Sequence, residues 1–513
     1  MTRPTCGALA RAVLALMLCG AAPLAAQDEP APASGLPERV ETAHELVVDG
    51  EPLPYTAVAG TLPVGEGPDG PGADLFYVAY LADGTDDSSD RPVTFLVNGG
   101  PGAASVFLHL GTAGPRRLAL AEDGTPDGVP VPLEDNPLTW LAFTDLVFVD
   151  PVGTGYSRVR PRSPEAGEDG QDRGRRGDGG NEFWSLDRDL ETLADFMRLW
   201  LGRYERWQSP VVLAGESYGG FRAAALAGRL EDEAGIPLAG VILVSPALEF
   251  AFLRGAERWN VLPWAVLVPS YAAVAAHHGR SDTADDPATL AAAEAFTLEE
   301  LVPGLAAAEA PDGLYERLAT VIGLPPERVA RLDGRVPVGV FAKELLADEE
   351  RLVGRYDGLV TGRDPRPGSP SYRGPDPSFD FLVGAYGPAL LGYLRGDLNY
   401  PVDARYEILN REVGRRWRYG DEGDQGFPGA AEDLRGALLI DHGPRVMVAH
   451  GRHDLVTPYF ASAYLLAQMD LPAEVAARVL FAAYTGGHMF YLRDDSQAAF
   501  VADLRDFYAG LAD

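Results

Sequence analysis

Short apolar runs that end in turn residues recur through the first half and the last part of the chain. They predict six strands of a buried, mostly parallel sheet: residues 92–97, 145–149, 210–214, 238–244, 445–450 and 478–484. Weaker β-rich segments predict an antiparallel meander at one sheet edge: residues 45–48, 55–63 and 74–81. Apolar residues at helical spacing predict helices between or after the strands: 184–207, 221–230 and 497–511. Strands that alternate with helices indicate a doubly wound α/β sheet.

The alternation of strands and helices stops after about residue 247. From there to about residue 438 the sequence is rich in alanine and helix-like, with Pro/Gly breaks and a predicted loop at 355–377. We interpret 248–438 as a largely helical cap inserted between two parts of an α/β core, 45–247 and 439–513.

The first residues have the pattern of a secretory signal peptide. Arg3 and Arg11 precede or flank a short apolar run, and small residues at 23–26 suit cleavage near Ala26. Residues 1–26 are therefore a predicted signal peptide, and the protein is expected to be secreted or periplasmic. A lipid anchor at Cys19 is disfavoured because the bulky Leu18 precedes it. Residues 27–44 are predicted to form a disordered tether.

Composition narrows the classes of function. The net charge of −32 disfavours a nucleic-acid partner, and no other long apolar run predicts a membrane span. Both cysteines, Cys6 and Cys19, fall in the predicted signal peptide, which excludes a disulfide framework and a cysteine nucleophile from the mature chain. The Gly/Asp/Arg-rich run 161–181 predicts an exposed loop without chemistry. Oligomeric state is left open by the sequence.

Gly215-Glu216-Ser217-Tyr218-Gly219 stands between the predicted strand 210–214 and the predicted helix 221–230. Strand, G-x-S-x-G and helix form the context of a nucleophile elbow, in which a tight turn presents the serine hydroxyl above the sheet. Ser217 is the candidate nucleophile. A chance match is also open, because the motif is short and the chain contains 59 glycines.

Asp454 and His488 each follow another predicted parallel strand. The order Ser217, Asp454, His488 is the order that the α/β-hydrolase fold uses. A histidine can take the serine proton near neutral pH, and an aspartate can orient its imidazole. Taken singly, Asp454 better suits a turn or a cap, and His488 better suits an ordinary loop. All three residues at strand ends and in this order predict a catalytic triad.

An oxyanion in the transition state needs two hydrogen-bond donors. The backbone N–H of Tyr218 and that of Gly100, in Asn98-Gly99-Gly100-Pro101-Gly102, are the candidates, although the glycine-rich segment also suits a simple tight turn. His450, His453 and Asp454 are a weak metal signal without a further matched ligand, so we expect no metal and no cofactor.

These motifs, with Asp150 to Ser157 (DPVGTGYS) and Gly487-His488-Met489, resemble the serine carboxypeptidases, most of all their bacterial members. The resemblance implies that Asn98, Gly99 and Glu216 bind the carboxylate at the substrate's C-terminus. It implies that Glu216 does so as a protonated acid, and hence an acidic working range. The chain departs from the family in two respects: the mature part has no cysteine, and Phe490 and Tyr491 follow the histidine motif where a proline is usual.

The expected activity is thus that of a serine carboxypeptidase acting on peptides with a free C-terminus through an acyl-enzyme. An esterase or acyltransferase of the same fold is the alternative, and a non-catalytic binding protein of the cell envelope is a third hypothesis. Side-chain preference at the cleavage site and the natural substrate are not determined by the sequence.

Overall fold

The computed structural model describes residues 36–65, 72–84, 91–126, 128–160, 182–420 and 427–511. The predicted signal peptide with its two cysteines, residues 27–35 of the predicted tether, and the predicted loop 161–181 lie outside the described residues.

A mixed sheet of ten strands forms the centre of the described chain. Its path runs β1-β2-β3-β7-β4-β9-β10-β13-β14, and β8 pairs with β3. Two further pairs, β5 with β6 and β11 with β12, stand apart from it. The strands are β1 Arg39–Val48, β2 Glu51–Gly65, β3 Gly72–Ala82, β4 Val93–Val97, β5 Arg116–Leu118, β6 Leu133–Asp135, β7 Asp145–Val149, β8 Arg158–Val159, β9 Val211–Glu216, β10 Leu238–Val244, β11 Arg351–Val353, β12 Thr361–Arg363, β13 Arg445–Gly451 and β14 Val479–Tyr484.

The strands from β7 to β14 along this path are parallel, as the six apolar runs predict. The edge meander β1-β2-β3 and its junction with β7 are antiparallel, also as predicted. One boundary was wrong: β1 begins at Arg39, so residues 39–44 are strand and not tether. Their exposed and half-buried side chains carry no strong apolar pattern, and pairing with β2 is what holds them in the sheet.

The apolar runs are continuous because both faces of the sheet are covered. Along β9, Val211 and Leu213 pack into the core on one face, whereas Val212 and Ala214 pack into the core on the other. Side chains of a strand alternate between faces, so a strand covered on both sides needs apolar residues at every position.

Eighteen α-helices are assigned within the described residues, and short π and 3₁₀ segments accompany them. They are α1 Val106–Leu108, α2 Leu186–Arg203, α3 Tyr218–Ala227, α4 Leu230–Ala234, α5 Phe250–Arg254, α6 Leu262–Ala265, α7 Val268–His277, α8 Pro287–Phe296, α9 Val302–Ala306, α10 Leu314–Ile322, α11 Pro326–Arg331, α12 Val338–Glu344, α13 Asp380–Gly396, α14 Arg411–Arg416, α15 Ala431–Leu438, α16 Tyr459–Gln468, α17 Ala473–Ala476 and α18 Asp494–Ala509.

The segment between β10 and β13 is largely helical but not uniform. Helices α7, α10 and α12 share a small core of their own that includes Tyr271, Leu318 and Phe341. Helices α13 and α15 instead bury their apolar residues in the two cores of the main sheet. The predicted loop 355–377 was partly wrong, since β12 lies in it and pairs with β11. The limits 248–438 of a cap remain a prediction.

Within the part of the chain that the structure describes, no helix combines the length and the apolar character that a bilayer span requires.

Candidate active site

Ser217 stands alone between the end of β9 at Glu216 and the start of α3 at Tyr218. Its backbone has φ 61° and ψ −121°, a region that non-glycine residues rarely occupy. The Ser217 N–H donates to Val244 O at 2.9 Å, which ties the turn to the end of β10. The side chain is half-buried, whereas its neighbours on both sides are buried.

The two glycines of the motif are required by close packing. A Cβ on Gly215 would overlap the carbonyl of Gly219, and a Cβ on Gly219 would overlap the carbonyl oxygen of Val97. The tight turn therefore also brings α3 against the end of β4. This is the local geometry that the G-x-S-x-G motif predicts.

The structure brings Asp454 and His488 together although they are 34 positions apart in the sequence. Asp454 follows β13, His488 follows β14, and Nδ1 of His488 lies 2.7 Å from Oδ2 of Asp454. A carboxylate only accepts hydrogen bonds, so Nδ1 carries the hydrogen and Nε2 is left with its lone pair. The hydroxyl of Thr457 and the backbone N–H groups of Val456 and Thr457 also donate to the Asp454 carboxylate.

Several backbone groups hold His488 in position. Its N–H donates to Tyr356 O at 2.5 Å, and its carbonyl accepts from Ser245 Oγ at 2.8 Å. Burial lowers the pKa of His488. The charge and hydrogen bond of Asp454, together with the charge of Glu216, raise this pKa by more than burial lowers it, so the net shift is upward. The imidazole is 4% exposed.

Ser217 and His488 approach the same edge of the sheet from different strands, but no hydrogen bond joins Ser217 Oγ to the imidazole among the described residues. Contacts of this kind are often long without a substrate and shorten when one binds. The complete triad is therefore still a prediction, whereas its Asp454–His488 half is present in the structure.

The candidate oxyanion donors lie in two adjacent turns. Gly99 packs so closely on the N–H groups of Tyr218 and Gly219 that a Cβ would overlap the Tyr218 nitrogen. Gly100 is exposed and has φ 105°, a left-handed conformation that favours glycine. The loop after β4 thus lies directly beside the start of α3, where the two donors are predicted.

Glu216 and Asn98 form a direct buried contact. Nδ2 of Asn98 donates to Oε2 of Glu216 at 2.6 Å, and Oδ1 of Asn98 accepts from the N–H of Leu108 at 3.0 Å. Burial raises the pKa of Glu216, against the opposing effects of His488, Tyr491 and Asn98. The carboxyl group is 3% exposed, so it favours the neutral form more than an ordinary glutamate does.

Sequence reasoning missed three buried residues beside these groups. Tyr491 donates to Oε2 of Glu216 at 2.7 Å. Arg222 donates to the carbonyl of Asn98 at 2.6 Å, forms an ion pair with Asp189, and lies 4.9 Å from the centre of the Tyr218 ring. Trp417 donates to the hydroxyl of Tyr218 at 3.2 Å. Of these three, only Tyr491 could have been selected from the sequence, because it lies three positions after the candidate base His488.

The DPVGTGYS motif is hydrogen-bonded to the loop after β4. Oδ1 of Asp150 accepts from the N–H of Ser105 at 2.8 Å, and Ser157 donates to the carbonyl of Asp150 at 2.6 Å. A Cβ on Gly155, at φ 50°, would overlap the Asp150 carboxyl group. Burial raises the pKa of Asp150 to about 6. Sequence reasoning assigned no role to this motif.

The side chains of the weak metal signal have three separate partners. His450 lies 2.9 Å from Ser462 Oγ, His453 lies 3.0 Å from Asp285, and Asp454 bonds His488. Within the described ranges, no group of three or more His, Cys, Asp or Glu side chains is arranged to hold a metal ion.

Residues 50–249 match the family model described as serine carboxypeptidase. The match includes the Asn98 loop and the Ser217 elbow, whereas Asp454 and His488 lie beyond it. Over these residues the chain is similar to the serine carboxypeptidases. The predicted resemblance to the serine carboxypeptidases is thus confirmed.

Curated relatives support the same assignment over short segments. The chain is 29% identical to a carboxypeptidase Y homolog of Arthroderma benhamiae over 34% of this chain and 30% of the relative. It is 30% identical to the pheromone-processing carboxypeptidase KEX1 of Saccharomyces cerevisiae over 29% of this chain and 18% of the relative. The matched segments thus span less than a third of each of these two relatives. Both relatives are from eukaryotes, so the expected bacterial subtype is not supported.

The fold extends much further than the sequence match. The crystal structure of Kex1(delta)p, a prohormone-processing carboxypeptidase from Saccharomyces cerevisiae, superposes with a TM-score of 0.54 and 15% identity, over 89% of this chain and 91% of that chain. At this identity the likeness shows the fold alone. The predicted α/β-hydrolase fold, a mostly parallel sheet with helices on both faces, is confirmed.

Proposed function

We propose that the protein is a serine-type carboxypeptidase that releases C-terminal amino acids from peptides. One observation carries the proposal: the buried Asn98–Glu216 pair lies next to Ser217, at the sheet edge that also holds the Asp454–His488 pair. A nucleophile and base explain hydrolysis, and a neutral acid beside an amide explains why a free carboxylate would be bound there.

In the first half of the reaction, His488 Nε2 takes the proton from Ser217 Oγ as that oxygen attacks the carbonyl of the last peptide bond. The N–H groups of Gly100 and Tyr218 stabilise the resulting oxyanion. The tetrahedral intermediate collapses when His488 gives the proton to the leaving amine. The C-terminal amino acid departs, and the rest of the peptide remains as an ester on Ser217.

In the second half, His488 removes a proton from water, and the hydroxide attacks the ester carbonyl. The same two N–H groups stabilise the second oxyanion. The proton then returns from His488 to Ser217 Oγ, the C–O bond breaks, and the shortened peptide leaves as a carboxylic acid. Asp454 stays ionised throughout and stabilises the imidazolium.

Asn98, Gly99 and Glu216 bind the substrate carboxylate in this proposal. An ionised Glu216 would repel that carboxylate in a buried site, whereas a protonated Glu216 can donate a hydrogen bond to it. The upward shift in the pKa of Glu216 supports this role. Peptides with a free C-terminus are the proposed substrates, and the predicted signal peptide supports a secreted or periplasmic location.

The proposal is tested with a blocked dipeptide and its C-terminal amide. We expect kcat/KM to be about 10- to 100-fold higher for the free acid, because only the free acid forms the charge-assisted hydrogen bonds to Asn98 and Glu216. Equal rates on the two substrates would contradict the carboxypeptidase proposal. Hydrolysis of simple esters with no preference for a free carboxylate would support the esterase alternative.

The assignment of the nucleophile has a separate control. Ser217→Ala should lower kcat by about 10⁴-fold or more and abolish labelling by a fluorophosphonate probe. Labelling that persists in the variant would place the nucleophile at another serine. No turnover and no labelling of the unmodified protein would instead support a non-catalytic binding protein.

A further inference from the structure

Tyr491 belongs to the short 3₁₀ turn Phe490–Leu492, which begins two positions after His488. Its side chain is fully buried, and its hydroxyl lies 2.7 Å from Oε2 of Glu216, a residue 275 positions away in the sequence. The turn that carries the candidate base thus also contacts the candidate carboxylate-binding acid.

Two donors converge on one oxygen of Glu216. Nδ2 of Asn98 at 2.6 Å and the hydroxyl of Tyr491 at 2.7 Å both point to Oε2. The Asn98 amide cannot point the other way, because its Oδ1 already accepts from the N–H of Leu108. In a neutral carboxylic acid the carbonyl oxygen is the better acceptor and the hydroxyl oxygen is the donor. Two donors on Oε2 therefore make Oε2 the carbonyl oxygen and put the proton on Oε1.

Five residues from four parts of the chain face Glu216. They are Asn98 after β4, Asp454 after β13, His488 and Tyr491 after β14, and Tyr386 on α13. The hydroxyl of Tyr386 is buried and has no hydrogen-bond partner among the described residues. A Cβ on Gly111 would lie 2.8 Å from both the Tyr386 hydroxyl and the Tyr491 ring, so the two tyrosines are close neighbours. Only Tyr491 uses its hydroxyl on Glu216.

We propose that Tyr491 is a positioning residue that orients the Glu216 carboxyl group, so that Oε2 accepts and Oε1 holds the proton offered to the substrate carboxylate. This inference rests on the proposed function and deepens it, since it assigns the recognition of a free C-terminus to a tyrosine on the turn of the base. Tyr491 contacts no reacting atom in this scheme and acts only through Glu216.

The test is Tyr491→Phe in the full chain, with Tyr386→Phe as the matched control. Both remove one buried tyrosine hydroxyl from the same cluster, but only the first removes a hydrogen bond to Glu216. For the blocked dipeptide at the pH optimum of the unmodified protein, we expect Tyr491→Phe to raise KM about tenfold and leave kcat within about twofold, because a hydrogen bond worth about 1.4 kcal/mol is lost. The C-terminal amide should be hydrolysed unchanged, and Tyr386→Phe should match the unmodified protein.

The pH profile separates positioning from a structural effect. The Tyr491 hydroxyl stabilises ionised Glu216, so its removal should move the alkaline limb of kcat/KM for the free acid to higher pH. Glu216→Gln should lack this limb because glutamine does not titrate, and adding Tyr491→Phe to it should leave the pH profile unchanged. An equal loss on free acid and amide, or a limb that stays in place, would overturn the proposal.

The outcome for the unmodified protein distinguishes the two proposals. If it does not prefer the free acid to the amide, the carboxypeptidase proposal itself fails. If it has that preference and Tyr491→Phe retains the same KM, only the role of Tyr491 fails. Thermal unfolding of both tyrosine variants checks that each is folded, and the Tyr491→Phe and Glu216→Gln pair gives the coupling directly.

Discussion

At the scale of single residues, the protonation state of Glu216 matters most for the proposed activity. It is buried among Asn98, Tyr491 and His488, and burial raises its pKa. His488 is coupled to it, because an ionised Glu216 raises the pKa of His488 and an imidazolium lowers that of Glu216. The proposed chemistry needs neutral His488 and protonated Glu216, so hydrolysis of a free acid should decline on both sides of a pH optimum.

Glu216→Gln tests this requirement. Glutamine keeps the size of glutamate, accepts through its oxygen from Asn98 and Tyr491, and can donate to a substrate carboxylate at every pH. The unmodified protein should lose activity on the free acid as pH rises through the pKa of Glu216. We expect the variant to lack this alkaline fall in kcat/KM while it keeps the acidic limb set by His488.

The C-terminal amide is the matched substrate for this experiment. Its hydrolysis needs no proton on Glu216, so both proteins should give the same profile on it. A fall with rising pH that persists in Glu216→Gln on the free acid would assign the titration to another group.

At the scale of elements, the elbow depends on the distance between β4, β9 and α3. Gly215 and Gly219 allow α3 to start directly after a strained Ser217 and to pack on the end of β4. Strain of about 1–3 kcal/mol at such a residue persists only where its surroundings hold it. The hydrogen bonds of Ser217 N–H to Val244 O and of Ala247 N–H to Ser217 O hold this turn against β10.

Gly219→Ala should therefore destabilise the protein and impair the site. The new methyl group would overlap the Val97 carbonyl, and relief of that overlap would move the loop that carries Asn98. We expect the free energy of unfolding to fall by about 1–3 kcal/mol, as for other overpacked sites, together with a loss of kcat/KM. Denaturant titration and steady-state kinetics measure the two effects.

Gly436→Ala is the control for that substitution. Gly436 is exposed within α15, and a Cβ there would meet nothing within 4 Å. Alanine should stabilise the helix by about 0.5–1 kcal/mol without a change in kinetics. Equal stability effects of the two substitutions would contradict the packing explanation of the elbow.

At the scale of the whole molecule, the described chain is held together without cysteine. Residues 27–513 contain none, and the sheet is covered by apolar cores on both faces that include Trp140 and Trp200, each fully buried. A chain of this length buries enough apolar surface to fold without cross-links. The chain has a large net negative charge. Its basic side chains other than histidine are arginines, apart from Lys343, which is buried.

A reductant should therefore leave the stability unchanged. We expect the same unfolding temperature by calorimetry with and without dithiothreitol, within the error of repeat scans, because no disulfide contributes to the folded state. A lower unfolding temperature in the reductant would show that Cys6 or Cys19 forms a stabilising cross-link, which contradicts their assignment to a removed signal peptide.

The sequence by itself determined the features that depend on neighbouring residues. The continuous apolar runs specify strands buried on both faces, and the spacing of Gly215 and Gly219 specifies a tight turn, because each depends on local sterics or side-chain alternation. The order of the motifs along the chain was enough for the fold class and for the candidates Ser217, Asp454 and His488. The start of β1 escaped prediction because pairing with β2, rather than its own pattern, makes it a strand.

Tertiary structure alone decided which distant side chains meet. The contacts of Tyr491 and Asn98 with Glu216, and of Arg222 with the Asn98 carbonyl, join residues separated by 275, 118 and 124 positions. They arise because β4, β9, β13 and β14 end at one sheet edge and their loops pack together there. No local pattern encodes such a meeting, because it depends on the strand order and on how each loop folds back across the sheet.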